Sequence, residues 1–468
     1  MKFSHLLYIA SIGSLVYFIS IMGTGCAQIG SPTGGPRDSL PPVLLGANPE
    51  LLTTNFSDKK ITLFFNEYID VQDVQNNVLV SPFPKVAPVV EFKLKTVTIK
   101  LKDTLIPNTT YSINFGNAIR DNNEGNPYQN FTYVFSTGNI IDSLQLGGKV
   151  IIAETGKKDS TLIALLYRNV DDSAVQKRKP DYIAKVDSSG DFRFRNLSAG
   201  NYKVYALKDG DGGKTYNSAI ELFAFSDTEI VVNGNSSPLT LYAYAEEKDV
   251  KRNAGAAAAS TRANATADKR LRYTTTLGNN EQDLLTDLVL SFNRPLKVFD
   301  PQKIILTDTN YNKLAGAATI DSTQQNIRIR LPWKEDTHYL VLINKDALSD
   351  STGVQLPKAD TLRFVSKKES AYGSLLLRFS NLSIDRHPIL QFIKDQEIYK
   401  SVPVTTTQWS DKLFVPGEYE LRILFDENNN GKWDPGNYTK KTQPEKAITL
   451  DNKLSIKANW DNEREIKL

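Results

Sequence analysis

One cysteine, two methionines and three histidines in 468 residues remove several chemistries before any motif is sought. A single thiol cannot close a disulfide within a chain, so stability has to come from packed cores rather than from cross-links. The histidines stand far apart, at 5, 338 and 387, and no His-Glu-x-x-His pair, Gly-x-Ser-x-Gly elbow or phosphate-binding loop accompanies them. Charge of one sign is missing too. The 56 Lys+Arg nearly cancel the 53 Asp+Glu, which leaves no electrostatic footprint for nucleic acid. Beyond residue 22, no apolar run is long enough to span a bilayer.

Aromatic residues are plentiful, with 20 Tyr and 21 Phe, and both suit strands. The start of the chain has a different character. Residues 1–25 run from Lys2 through an apolar stretch, Leu6–Met22, to Gly23-Thr24-Gly25, and Cys26 follows. A basic start, an apolar core and small residues before a cut site are the marks of a signal peptide. Leu6–Met22 is short for a spanning helix and carries Ser11, Gly13, Ser14 and Ser20. The surroundings of Cys26 have neither strand nor helix pattern, which argues against a buried thiol. The stretch resembles a bacterial lipoprotein signal, although Gly23 stands where that family usually carries Leu. The resemblance implies that Cys26 is lipidated and becomes the new N-terminus. The membrane is then the first expected partner. Residues 26–42, rich in Gly, Pro and Ser, read as a flexible tether.

The mature chain of about 440 residues suggests three or four domains. Over 43–138, short alternating runs are separated by turn signals: Ile61–Phe65, Val78–Val80, Thr96–Leu101, Thr110–Phe115 and Phe131–Phe135. Such spacing argues a β-sandwich. The same order returns over 273–367, in Asp287–Asn293, Ile304–Leu306, Ile327–Leu331, Asp336–Ile343 and Leu362–Ser366. The Asp121–Gly125 loop is matched by Asp350–Gly353, and an internal repeat of this kind sets the architecture. A second pair of modules alternates with the first, over 139–245 and 368–468. Each carries an apolar strand, a Gly-x-Tyr turn at Gly200-Asn201-Tyr202 or Gly417-Glu418-Tyr419, and an Asp seven residues past the Tyr, at Asp209 and Asp426. Between the halves, 246–272 holds an Ala-rich stretch and reads as a linker that lets them move.

The strand ending Phe-Asn, the Asn/Asp-Thr-x-Tyr strand, the Asp-x-x-x-Gly loop and the Phe-x-x-Ser/Thr exit resemble the S-layer-type bacterial Ig-like domain. The Leu-x-x-Gly-x-Tyr block of the other pair resembles the prealbumin-like or carboxypeptidase-regulatory-like sandwich. The expected fold is therefore all-β: tandem Ig-like and prealbumin-like β-sandwiches behind a lipoprotein signal peptide. With Cys-Ala-Gln-x-Gly-x-Pro-x-Gly-Gly-Pro-x-Asp at 26–38, the whole is similar to Ig-like domain lipoproteins of Bacteroidota. That resemblance implies a non-enzymatic interaction module at the outer membrane. Its implied partners are outer-membrane or envelope proteins, such as β-barrel assembly machinery. A carbohydrate-binding surface lipoprotein and an envelope hydrolase are the alternatives. The first needs a row of exposed aromatics from Trp333, Trp409, Trp433 and Trp460.

Local chemistry is concentrated in one loop. Asp426, Asn428 and Asn430 supply oxygens at loop positions 1, 3 and 5, Gly431 stands at 6 and Asp434 at 9. This copies a calcium loop, and calcium is the cofactor it would take. Position 12 is Asn437 in place of a bidentate Glu, and a polar hairpin loop is the competing reading. Glu67 is a lone carboxylate whose counterpart in the second copy is Arg294. Lys177-Arg178-Lys179 reads as a solvated basic run. Asp38-Ser39-Leu40, Asp103-Thr104-Leu105, Asp142-Ser143-Leu144, Asp172-Ser173-Ala174 and Asp360-Thr361-Leu362 resemble the O-glycosylation sequon of exported Bacteroidota proteins, or simply begin turns.

Overall fold

The computed structural model describes residue 8 and residues 11–17, 38–168, 170–234, 237–247 and 270–468. Cys26 lies outside them, as do most of 1–37 and the greater part of the linker. Residues 11–17 are helical, and among the described residues no helix is long and apolar enough to cross a membrane. The chain divides into two compact units, Met1–Ile141 and Asp142–Leu468. The first holds one β-sandwich, module I. The second holds three, modules II, III and IV in chain order, and each of the four has its own hydrophobic core.

Module I shows how the alternating runs fold. Lys60–Phe65 turns Ile61, Leu63 and Phe65 inward, and Thr96–Lys100 turns in Val97 and Ile99. Period-two burial of this sort makes one face of each strand core and leaves the other wet. Four strands form one sheet in the order Leu44–Asn48, Lys60–Phe65, Thr96–Lys100, Val89–Lys93. Leu79–Ser81, Thr110–Gly116 and Phe131–Ser136 form the facing sheet, and Ile69–Val71 pairs with Ile119–Asp121. Tyr133, Phe135, Phe115 and Ile113 from the second sheet close the core.

Module III repeats this topology with one added edge strand. Its first sheet runs Tyr273–Thr275, Leu288–Phe292, Asn326–Arg330, Ala317–Ile320. Its second contains Ile304–Thr307, His338–Ile343 and Asp360–Ser366, with Glu281–Gln282 added in parallel at the edge. Leu296–Phe299 pairs with Leu348–Asp350 in place of the short pair of module I.

Modules II and IV share a different plan. In module II a three-stranded sheet orders Asp191–Leu197, Leu144–Ile152, Leu239–Ala243, the last two parallel. Module IV has Gln408–Phe414, Gly373–Ser380, Asp461–Lys467 with the same parallel pair. The second sheets correspond as well: Tyr182–Lys185, Ile163–Arg168, Gly200–Leu207, Phe223–Phe225 in module II, and Glu397–Pro403, Pro388–Lys394, Gly417–Phe425, Ala447–Thr449 in module IV.

Burial in these second sheets does not alternate. Leu165, Tyr167, Tyr205, Leu207, Phe223 and Phe225 point away from module II's core and are still buried. Ile389, Gln391, Ile393 and Leu424 behave the same way in module IV. Consecutive burial in an antiparallel sheet means that both faces are covered.

Candidate functional site

The Asp426–Asp434 loop follows the central strand Gly417–Phe425. Asp426 is 1% exposed, and its two carboxylate oxygens accept the N–H groups of Asn430 at 3.0 Å and Gly431 at 2.7 Å. Gly431 has φ +80°, the left-handed conformation the turn requires. The Asn430 amide donates to Asp434 Oδ2 at 2.6 Å, and the Asn428 amide donates to the same oxygen. The four residues of the sequence pattern are therefore gathered at one place, where hydrogen bonds within the loop occupy their oxygens. Glu445 closes the base, accepting Glu427 N–H at 2.9 Å and Asp434 N–H at 3.0 Å. Burial, together with the neighbouring Asp426 and Asp434 carboxylates, pushes the Glu445 carboxyl up. Among the described residues, no three His, Cys, Asp or Glu side chains converge as a metal ion needs.

What this loop positions is the segment after it. Trp433 Nε1 donates to Glu445 O at 2.8 Å, and Asn437 and Thr442 pair across a turn. The result is a closed arm, residues 433–446, that reaches module II. Tyr438 at its tip is 4% exposed and takes no part in module IV's own core. It lies against Phe223 and Phe225 edge-on, at 5.1 and 5.3 Å between ring centroids, and its hydroxyl donates to Asp172 O at 2.5 Å. Burying a ring of this size contributes roughly 2–3 kcal/mol.

Polar contacts fix the register of the arm. Glu246 Oε1 accepts Tyr438 N–H at 3.0 Å, and Glu246 Oε2 accepts the Asn437 amide at 2.9 Å. Gln443 Nε2 donates to Phe225 O at 3.1 Å and Asp227 Oδ1 at 2.6 Å. Beyond the arm, Ala447 N–H donates to Ala153 O at 2.9 Å, Thr449 Oγ1 donates to Thr155 O, and Lys157 pairs with Glu420 at 2.9 Å. Two glycines permit the approach. A Cβ at Gly436 would lie 2.6 Å from the Tyr244 ring, and one at Gly156 would lie 2.7 Å from Ala447 O. Where the arm meets module II, a cleft of about 220 Å³ is lined by Asp172, Lys203, Tyr205, Glu229, Tyr438 and Lys441 among others. Lys203 and Lys441 both pair with Asp172, at 2.6 and 3.2 Å, and hold its carboxyl below the usual range.

Both ends of the stretch read as linker are held by folded modules. Glu246 stands at the start of the stretch read as linker, yet both its oxygens hold the arm, and Tyr216 OH also donates to it at 3.0 Å. Leu271, at the far end of the same stretch, is fully buried in module III's core. The arm was not anticipated from sequence, because Pro435-Gly436-Asn437 reads as turn chemistry. The available signal was Tyr438, a large aromatic inside a polar loop.

The other candidates are dispersed. His338 and His387 are exposed and belong to modules III and IV. Trp333 is buried in module III's core, Trp409 packs on Phe392, Trp433 serves the arm and Trp460 is exposed, so the four form no row. Lys177 and Lys179 are exposed, while Arg178 pairs with Asp181 at 2.9 Å. Asp38, Asp103 and Asp360 of the sequon-like triplets each accept a nearby backbone N–H, as turn-starting aspartates do.

Glu67 and Arg294 do occupy matching places. In module III, Arg294 donates to the buried Asp350 at 3.0 Å; the Thr352 hydroxyl first, then the Val354 N–H and Arg294, hold that carboxyl well below the usual range. In module I, the buried Asp121 accepts the N–H groups of Glu124, Gly125 and Asn126, which outweigh its burial and lower it. Glu67 faces that carboxylate, and burial with Asp121, Asp38 and Glu124 pushes it up.

Fold and site together define an all-β protein of sandwich modules, two of which, alike in plan, are keyed together. Within it, residues 38–137 match the bacterial Ig-like domain family. None of the curated proteins matches the chain. Among solved structures, it is similar to native alpha-2-macroglobulin from Escherichia coli spanning domains MG0-NIE-MG1, at 14% identity over 39% of this chain and 72% of that one, with a TM-score of 0.19. BcpA, the major pilin subunit of Bacillus cereus, is matched at 10% identity over 69% of this chain and 99% of that one, with a TM-score of 0.17. The surface layer protein SbsC, domains 1–6, is matched at 12% identity over 90% of this chain and 41% of that one, with a TM-score of 0.16. Likenesses this distant carry no argument about activity.

Proposed function

We propose that the protein is a non-enzymatic scaffold, anchored to the outer membrane by lipid on Cys26, that holds envelope proteins through its sandwich faces and edges. The observation that carries this reading is the tandem architecture: a module matching the bacterial Ig-like family, then three further sandwiches, two of them fastened into one piece. Sandwich modules in series present extended edges and grooves, which are interaction surfaces rather than reaction chambers. The partners proposed are outer-membrane proteins, β-barrel proteins or their assembly machinery among them. Labelled fatty acid should enter the wild-type protein and not Cys26→Ala, which should fold and leave the membrane fraction. Affinity purification from gently solubilised, cross-linked envelopes should recover a defined membrane-protein complex. Recovery of the protein alone, with hydrolytic activity in the pure material, would overturn the scaffold reading.

A further inference from the structure

The seam between modules II and IV has the anatomy of a protein–protein interface rather than of a passive contact between chain neighbours. It joins regions far apart in sequence: Tyr438 meets Asp172, and Asn437 meets Glu246. A buried aromatic anchor sits at the centre, and charged pairs stand at the rim, Lys157 with Glu420 and Lys441 with Asp172. This is the arrangement that concentrates binding energy in a few residues. The receiving surface is built around the anchor. Tyr216 stacks on Phe223 at 4.1 Å, Tyr205 stacks on Phe223 at 5.7 Å, and these rings surround Tyr438. The arm is held from within module IV by Glu445 and Trp433, so it is pre-shaped before it docks. Ordering cost at docking is correspondingly small. A tether raises the local concentration of two modules but does not create such complementarity.

We propose that the arm 433–446 and the face of module II that receives it form a self-sufficient docking site. It binds module IV to module II without help from the peptide that connects the two halves, and its occupant is module IV of the same chain. Modules III and IV are attached to each other separately, through Tyr372 Oη, which accepts Leu284 N–H at 2.8 Å, and through Glu335, whose Oε2 accepts Glu369 N–H at 2.8 Å. The C-terminal half is therefore presented to module II as one block.

The test is to place a specific protease site at residue 258 of the full chain, fold the intact protein, cut it, and pass the product over a sizing column at micromolar concentration. The two fragments should elute together as one species of uncut size. The same cut in Tyr438→Ala should give two separated fragments. Tyr438 lies outside module IV's own core, so that variant keeps its fold, which circular dichroism of the separated C-terminal fragment checks. Gly436→Val, which drives a side chain into the Tyr244 ring, should separate the fragments as well. Dissociation of the cut wild-type protein at micromolar concentration would overturn the proposal. So would co-elution that survives both Tyr438→Ala and Gly436→Val.

Discussion

In module II, the connection after Gly200–Leu207 folds back over its own sheet, where Tyr216 stacks on Phe223. In module IV, the equivalent connection, after Gly417–Phe425, leaves its module and puts Tyr438 onto that same Phe223. Both begin with an aspartate, Asp209 or Asp426, that accepts backbone N–H groups to start the turn. The longer loop of module IV, with Gly431 at its bend and Asp434 and Glu445 at its base, is what lets the connection project. One sandwich plan thus produces a receiving module and an inserting module. The difference lies in loop length and loop hydrogen bonding, not in strand order or core.

Removing the anchor should have the largest effect. Tyr438→Ala takes away a buried ring and its hydroxyl bond, and should cost about 3–5 kcal/mol of the stability shared by modules II and IV. Denaturant unfolding, followed separately in each module, checks this. The expected result is one transition in the wild type and two in the variant.

The paired aspartates should differ in what they affect. Asp426→Ala takes a charged acceptor away from the Asn430 and Gly431 N–H groups and should cost about 2–3 kcal/mol. Because Asp426 shapes the loop that leads to the arm, docking should weaken as well. Asp209→Ala should destabilise module II by a similar amount and leave docking intact. If Asp426→Ala instead matters only in calcium, and added calcium raises the melting temperature of the wild type alone, then the loop is a cation site before it is a strut.

Acid should loosen the seam by a smaller amount. The Asp172 carboxyl is held low first by the hydrogen bond from Lys203 and then by Lys441, so its contribution is present above the unfolded value of about 3.9 and fades as pH falls through the lower folded value. Glu445 works in the opposite sense. Its raised carboxyl takes up a proton at higher pH and relieves repulsion as pH drops toward its unfolded value. Stability followed from pH 6 to pH 3 should therefore hold or rise slightly before it falls. Asp172→Asn should flatten the lower limb, and Glu445→Gln the upper. The smallest effect belongs to Lys157→Ala. The half-exposed Lys157–Glu420 pair is worth about 0.5 kcal/mol or less, and its effect should shrink further in salt.

The all-β character of the chain was legible in period-two runs such as Thr96–Leu101. The kinship of the repeats was legible in the recurrence of Phe-Asn, of Asn/Asp-Thr-x-Tyr and of an Asp-to-Gly loop, Asp121–Gly125 and Asp350–Gly353. These features are local, and local patterning decides which face of a strand is core. The second buried faces were not legible in the same way, because a run such as Pro388–Lys394, buried almost throughout, looks in sequence like any apolar strand. Nor was the partner of Tyr438. Glu246 and Tyr438 are separated by the whole of module III and most of module IV, and nothing near either residue names the other. The Asp426–Asp434 loop was found for its oxygens, whereas its visible role in the fold is to aim the arm that follows. The exchange of Glu67 for Arg294 was readable as a change of sign, but not the buried aspartate each one faces.

The most direct test of the account is amide hydrogen exchange, read by mass spectrometry on two peptides of the full chain. One covers Gly200–Leu207 in module II and the other Gly417–Phe425 in module IV. If the arm makes the two modules one body, both strands should exchange with the same opening free energy in the wild type. In Tyr438→Ala, the two values should part, each falling to that of its own module. Different opening energies in the wild type, unchanged by Tyr438→Ala, would contradict the account.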